Sequence, residues 1–317
     1  MTSVAELART LALGDRRALA KAITLVESTR PADRAAAREL LGLVAPVTPA
    51  TLRIGVTGVP GAGKSTLIDS LGREAILAGR RVAVLAVDPS SRQSGGSVLG
   101  DKTRMSRLAA ESAAYVRPSP TLGILGGIAA RTREAISLCE AAGYDTLFVE
   151  TVGVGQSEER VASLVDCVLL VVLAGAGDEI SHLKRGILEA ADLIAFNKAD
   201  GERLASVTQD AAALRASLTV SHGQRVPPVL VVSALEGVGI RELWAALSDH
   251  YAQTASAGSF LERRARQRKE WFESALEEAL RDAFADRPGA QLALRAAEAS
   301  VEAGTVSPVE AARRVVA

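Results

Sequence analysis

Residues 52–66 read Leu52-Arg-Ile-Gly-Val-Thr-Gly58-Val-Pro-Gly-Ala-Gly63-Lys64-Ser65-Thr66. An apolar, β-branched run leads into Gly-x-x-x-x-Gly-Lys-Ser, and a helical pattern follows. That order of strand, glycine loop and helix is the context a phosphate-cradling loop requires. Glycines allow successive backbone N–H groups to turn inward around phosphate oxygens. The helix that starts near Lys64 adds the positive end of its dipole. Gly58, Val59, Pro60, Gly61, Ala62, Gly63, Lys64, Ser65 and Thr66 are therefore the expected phosphate contacts. Lys64 is placed to bridge the β- and γ-phosphates, and the Ser65 hydroxyl to bind Mg²⁺. The bland alternative is a glycine-rich turn with no ligand.

Downstream, the same alternation continues. Short β-branched runs are expected as strands at Leu52–Thr57, Val82–Val87, Thr146–Glu150, Val168–Leu173, Leu193–Phe196 and Val229–Val232. Helical periodicity lies between them, near 64–78, 125–142, 202–219 and 239–252. Near-continuous apolar strands alternating with helices predict an α/β fold, a mainly parallel, doubly wound sheet covered on both faces. Upstream, 1–48 reads as an N-terminal helical arm, with Pro31 suited to a first helical position and a linker at Pro46 and Pro49. The core domain is expected over 49–255. A linker at 253–259 leads into a C-terminal helical arm, 256–317. There Leu261, Ala265, Phe272, Leu276, Leu280 and Phe284 mark one apolar face, and Arg287-Pro-Gly289 ends the helix. Such an arm caps a core or forms a dimer interface.

The chain has 317 residues, and 37 Lys+Arg balance 37 Asp+Glu. Zero net charge argues against a general nucleic-acid binder. The run Arg263-Arg-Ala-Arg-Gln-Arg-Lys269 is expected as a solvated or dimer-flanking face, because acidic residues follow and no aromatics interleave. Cys139 and Cys167 cannot form a disulfide framework and suit a reducing, cytoplasmic setting. No export segment or membrane-spanning stretch is expected. Few His and no paired Cys leave no dedicated transition-metal site in view, and His182 alone is weak evidence for one.

Asn197-Lys-Ala-Asp200 follows the strand 193–196. A carboxylate at Asp200 can accept from both guanine N1–H and its exocyclic amine, a donor pair adenine lacks. Lys198 can lay its stem along the base. Ser233-Ala234-Leu235, after the last strand, fits a loop whose N–H meets guanine O6. GTP is therefore preferred to ATP. Mg²⁺ takes oxygen ligands and few carboxylates, so Asp88, Asp101 and Glu150 join Ser65 as metal candidates. Glu150-Thr-Val-Gly153 stands where small GTPases carry D-x-x-G, and Gly153 is placed to offer its N–H to the γ-phosphate. Val154 replaces the water-orienting Gln of many small GTPases, and Gln156 is displaced, so slow intrinsic hydrolysis is expected. Arg104, Arg107, Lys102 and Lys184 are candidate sources of transition-state charge, each with a solvated or structural alternative. Residues 88–105 and 175–186 are expected as elements that answer to the nucleotide.

Several of these segments together carry a resemblance: Gly58–Thr66, Asp88–Met105, Arg117–Pro120, Gly126-Gly127, Glu150–Glu158, Gly175–Gly186 and Asn197–Asp200. The chain resembles the MeaB/ArgK-type GTPases, bacterial relatives of human MMAA and members of the same broad class as the nickel accessory GTPases. The resemblance implies a P-loop GTPase that serves an adenosylcobalamin-dependent acyl-CoA mutase, gating cofactor loading and protecting or reactivating the enzyme. It implies GTP/GDP and Mg²⁺ at Lys64, Ser65, Asp88, Asp101 and Glu150. It also implies a signalling loop at 175–186 and a homodimer through the C-terminal arm. Arg92, Ala174 and Ser181-His182 depart from the family's usual residues, in elements that would face the client mutase. Two alternatives stay open: a kinase of a periplasmic transport protein, and a metallochaperone-type GTPase.

Overall fold

The computed structural model describes residues 3–28, 30–44, 51–88, 105–120, 127–151, 161–173, 185–222 and 226–316. Three helices come first: α1 (Val4–Ala12), α2 (Arg16–Glu27) and α3 (Pro31–Leu43). Each start has a local cause. The Ser3 hydroxyl caps the Glu6 N–H at 3.1 Å, the Asp15 carboxylate caps the Ala18 N–H at 2.7 Å, and Pro31 opens α3.

The core then runs β1 (Leu52–Gly58), α4 (Lys64–Leu77), β2 (Val82–Asp88), α5 (Ser106–Ala110), β3 (Ala114–Pro120), α6 (Gly127–Ala141), β4 (Thr146–Thr151) and β5 (Cys167–Leu173). It continues through α7 (Arg185–Ala190), β6 (Leu193–Asn197), α8 (Leu204–His222), β7 (Val229–Val231) and α9 (Ile240–Ser256). The seven strands form one sheet in the order β3-β2-β4-β1-β5-β6-β7, every pair parallel. The doubly wound α/β architecture expected from the sequence is present. β1 sits where the winding changes direction, so the loop after it opens at a topological switch point.

Strand β3 is an addition to the expected set. Pro118 and Pro120 argue against a strand, but proline is tolerated at a sheet edge, and β3 is an edge strand. The expected linker at 253–259 is also shorter than read. Helix α9 continues to Ser256 and α10 (Ser259–Ala285) begins after the turn Ala257-Gly258. The expected linker around Pro46 and Pro49 lies outside the described residues.

The two sheet faces bury different partners. One packs Ile54, Val56, Phe148 and Leu169 against α4 and α9, through Leu67, Leu71, Leu243 and Leu247. The other packs Leu85, Leu147 and Val149 against α6 and the N-terminal helices, through Leu11, Leu19, Ile23 and Leu40. Each buried Leu or Ile is worth roughly 1.5–3 kcal/mol over exposure. The first three helices therefore complete one face of the core.

At the amino ends of the strands lies a buried ionic network. Arg264, in the first turns of α10, donates to Asp166 at 2.9 and 2.7 Å and to the Thr51 carbonyl at 2.7 Å. Arg53 forks onto Glu140 with two bonds of 2.7 Å, and the Thr51 hydroxyl donates to the same carboxylate at 2.5 Å. The Arg264 guanidinium also stacks 4.6 Å over the Phe260 ring, which makes a T-shaped contact with Tyr251. Burial lowers the pKa of Arg264, but the hydrogen bond and charge of Asp166 outweigh it, and the net shift is upward. Arg263 holds Asp192 at 3.1 Å and donates to the Asp166 carbonyl. The solvated face expected of the run 263–269 is thus corrected for its first two arginines. Their carboxylate partners lie far off in sequence.

Contacts divide the chain into two compact units, Met1–Arg264 and Ala265–Ala317. In the second, α11 (Ala290–Glu302) and α12 (Pro308–Val316) follow the rest of α10. The expected stop at 287–289 holds, with α10 ending at Ala285. Phe272, Leu276 and Leu280 form a stripe at four-residue spacing, and all are exposed. No helix among the described residues is long and apolar enough to cross a membrane.

Candidate functional site

Gly58 ends β1 at φ 142°, and a Cβ there would stand 2.1 Å from the Val171 carbonyl oxygen of β5. Only glycine lets the chain leave the sheet at that point. Gly63 caps α4 in the left-handed region at φ 85°, where a Cβ would meet the Asn197 amide at 2.6 Å. The loop is pressed onto its neighbours on both sides.

Two side chains at the head of α4 face inward. Lys64 and Ser65 are buried. The Lys64 ammonium donates to the carbonyls of Gly58 at 2.8 Å and Val59 at 3.2 Å. Ser65 donates to Glu150, at the end of β4, at 2.7 Å. β1 and β4 are neighbouring strands in register, Val56 opposite Glu150, which brings the two motifs together. Thr151 bonds the Thr57 hydroxyl at 3.2 Å and braces the same strand ends.

Asn197 does more than its sequence context suggested. Its amide nitrogen donates to the Ala62 carbonyl at 2.8 Å, and its oxygen accepts from the Ala234 N–H at 3.1 Å. One buried side chain thus staples the phosphate loop to the loop after β7. Ser70 on α4 adds a bond to the Ala234 carbonyl at 2.9 Å. Lys198 has φ 63°, a left-handed non-glycine residue of the kind that costs about 1–3 kcal/mol and clusters at functional sites. Asp200 accepts from the Ser233 hydroxyl, which itself accepts from the Glu236 N–H. The expected base-reading residues Asn197, Lys198, Asp200, Ser233 and Ala234 are therefore brought together beside the phosphate loop. Leu235 is exposed next to them.

Replacing Asn197 with Ala leaves the buried Ala234 N–H and Ala62 carbonyl without that amide. A stability loss of about 1–3 kcal/mol is expected, with weaker nucleotide binding, checked by denaturant unfolding and fluorescent-nucleotide titration.

Arg107 is taken up structurally. It donates to Asp69 at 2.7 Å, and Asp69 also accepts the Leu108 N–H at 2.8 Å. That pairing ties α5 to α4 and gives Arg107 the structural alternative expected of it. The backbone of Asp88 closes β2 opposite Pro120 of β3. Asp101, Lys102, Arg104, Gly153, Val154, Gln156, His182 and Lys184 lie outside the described residues.

The profile of the family described as "Methylmalonyl Co-A mutase-associated GTPase MeaB" matches residues 19–288. The chain belongs to the MeaB family. A "Probable GTPase" of Mycobacterium tuberculosis is 47% identical over 305 residues, covering 95% of this chain and 91% of that one. The mouse "Methylmalonic aciduria type A homolog, mitochondrial" is 41% identical over 315 residues, covering 95% and 76%. A crystal structure of a protein named "LAO/AO transport system kinase" superposes with a TM-score of 0.73 at 38% identity, covering 99% of this chain and 96% of that one. This MeaB-family chain is a P-loop GTPase that binds guanine nucleotide. Its glycine loop, Glu150 and the segment Asn197–Asp200 meet at the carboxyl ends of the strands.

Proposed function

We propose that this MeaB-family GTPase uses GTP binding and hydrolysis to act as chaperone to an adenosylcobalamin-dependent acyl-CoA mutase, methylmalonyl-CoA mutase or a relative. It gates cofactor loading and protects or reactivates the mutase. The observation that carries the reading is the family match across residues 19–288, whose description names association with that mutase. The mouse relative's name, drawn from methylmalonic aciduria, points the same way.

In this reading the nucleotide phosphates enter beneath α4. Lys64 exchanges its bonds to the Gly58 and Val59 carbonyls for phosphate oxygens. Ser65 and Glu150, held 2.7 Å apart, form a hard oxygen pair that suits Mg²⁺, with Asp88 and Asp101 completing the metal set. Bound by these oxygens, Mg²⁺ would neutralise phosphate charge. Gly153 senses the γ-phosphate, and Arg104 and Lys184 supply further positive charge. Asp200, fixed by Ser233, reads the guanine edge, and Asn197 holds base and phosphate loops in one frame. The exposed stripe Phe272, Leu276 and Leu280 supports a homodimer through the C-terminal helices. Neutral charge and two buried, unbridged cysteines favour a cytoplasmic setting without nucleic-acid or membrane partners.

Titrating candidate acyl-CoA mutases into the GTPase tests the reading. Acceleration of hydrolysis by a mutase is expected. No acceleration by any encoded mutase removes the chaperone role and leaves the GTPase. The name of the crystallised relative favours a second reading, a kinase of a transport protein. Transfer of labelled γ-phosphate to protein rather than to water would select it. For the base, Asp200→Asn inverts the pattern offered to N1. GTP binding is expected to weaken and xanthosine triphosphate to be preferred, read from competition binding. Unchanged preference refutes Asp200 as the base reader.

A further inference from the structure

At the opposite end of the sheet from the phosphate loop, three ligand-bearing side chains converge. Cys167 opens β5, Asp192 immediately precedes β6, and His250 lies near the end of α9. One ligand atom from each lies within 4.8 Å of the other two. Cys167 and Asp192 are buried, and His250 is nearly so.

We propose that Cys167, Asp192 and His250 form a binding site for a zinc-class divalent cation. A thiolate, an imidazole and a carboxylate are a donor set for a borderline-soft ion and not for Mg²⁺. Zinc bonds of about 2.0–2.3 Å in tetrahedral geometry place ligand atoms roughly 3.3–3.7 Å apart. The side chains need close by only about an ångström. The fourth position is left for water.

Arg263 explains how so buried a place can take such an ion. Its guanidinium pairs with Asp192 at 3.1 Å, and part of it reaches solvent. Asp192 is held in addition by the Val168 N–H at 3.0 Å, and His250 Nε2 stands 3.6 Å from its other oxygen. Without metal, the arginine cation balances the Asp192 carboxylate. With metal, Cys167 gives its proton to solvent, and the two negative ligands balance the dication. Arg263 then loses its Asp192 partner and keeps its bond to the Asp166 carbonyl. In each state a cation faces the buried Asp192 carboxylate, as a buried charge requires. Metal and arginine thus compete for Asp192, and binding releases one tie near the start of α10.

The test uses the full-length protein, stripped with chelator and saturated with Mg²⁺–GDP so that the nucleotide site is filled. Co²⁺ is the probe. One equivalent is expected to bind and give a near-ultraviolet thiolate-to-cobalt charge-transfer band, which Zn²⁺ bleaches by displacement. Cys167→Ala and His250→Ala should each remove the band, and Cys139→Ala should keep it. Arg263→Ala should tighten Co²⁺ binding several-fold. Absence of the band in the unmodified protein overturns the site, as does a band that survives Cys167→Ala. Should Cys167→Ala fail to fold, unchanged Co²⁺ affinity in His250→Ala overturns it equally. Unchanged or weaker binding in Arg263→Ala overturns the exchange with arginine.

Discussion

Lys64→Ala is expected to lower GTP turnover by at least about 10²–10³-fold, the scale for removing one donor aimed at transition-state charge. Phosphoryl transfer asks little covalent chemistry of the protein, so positioned positive charge carries most of the catalysis. The ammonium is buried between the Gly58 and Val59 carbonyls, at 2.8 and 3.2 Å, and is already aimed along the loop. Its removal leaves Asn197 on Ala62 and Ser65 on Glu150, so the loop keeps its shape. Circular dichroism should be unchanged while phosphate release collapses. Retained turnover would sink the assignment of this lysine.

The second large effect is on stability. Arg264→Ala takes the guanidinium from Asp166, leaving it the Arg53 N–H at 2.9 Å, and weakens the setting of Glu140, both buried. Breaking a buried pair from one side costs about 3–5 kcal/mol, far more than the intact pair contributes against a well-packed apolar substitute. For a chain of this size that is a fall in melting temperature of about 5–8 °C. Arg264→Lys should recover little, because the two bonds to Asp166 and the bond to the Thr51 carbonyl need a planar fork. A melting temperature within about two degrees of the unmodified protein would overturn this account. Thermal unfolding by calorimetry is the measurement.

These two residues differ in how far sequence reveals them. Lys64 is legible because its partners are local: the glycine loop lies just ahead of it, and the flanking strand and helix confirm it. The parallel sheet is legible for a similar reason, since strands such as Cys167–Leu173 are apolar on both faces and leave no alternation to confuse. Arg264 is not legible. Its partners, Thr51, Asp166 and Glu140, are scattered along the chain, and a run of four arginines and a lysine looks like a wet helix face. Asn197 is half legible. Its motif announces a base reader, but the amide's bonds to Ala62 and Ala234 depend on which loops the sheet order makes adjacent. β3 is hidden by its prolines, which look like punctuation until the strand is seen to lie at an edge.

That edge has a consequence for how copies of this chain can meet. A sheet grows by offering backbone donors and acceptors to a newcomer, and exposed edges are where uncontrolled stacking begins. Here one border carries Pro118 and Pro120, which lack the N–H a growing ladder requires, and the other, β7, is only three residues long. The sheet is closed to extension at one border by chemistry and at the other by brevity. Lateral fibre-like growth has no foothold among the described strands. Any contact between copies is left to side-chain recognition, which can be finite and reversible.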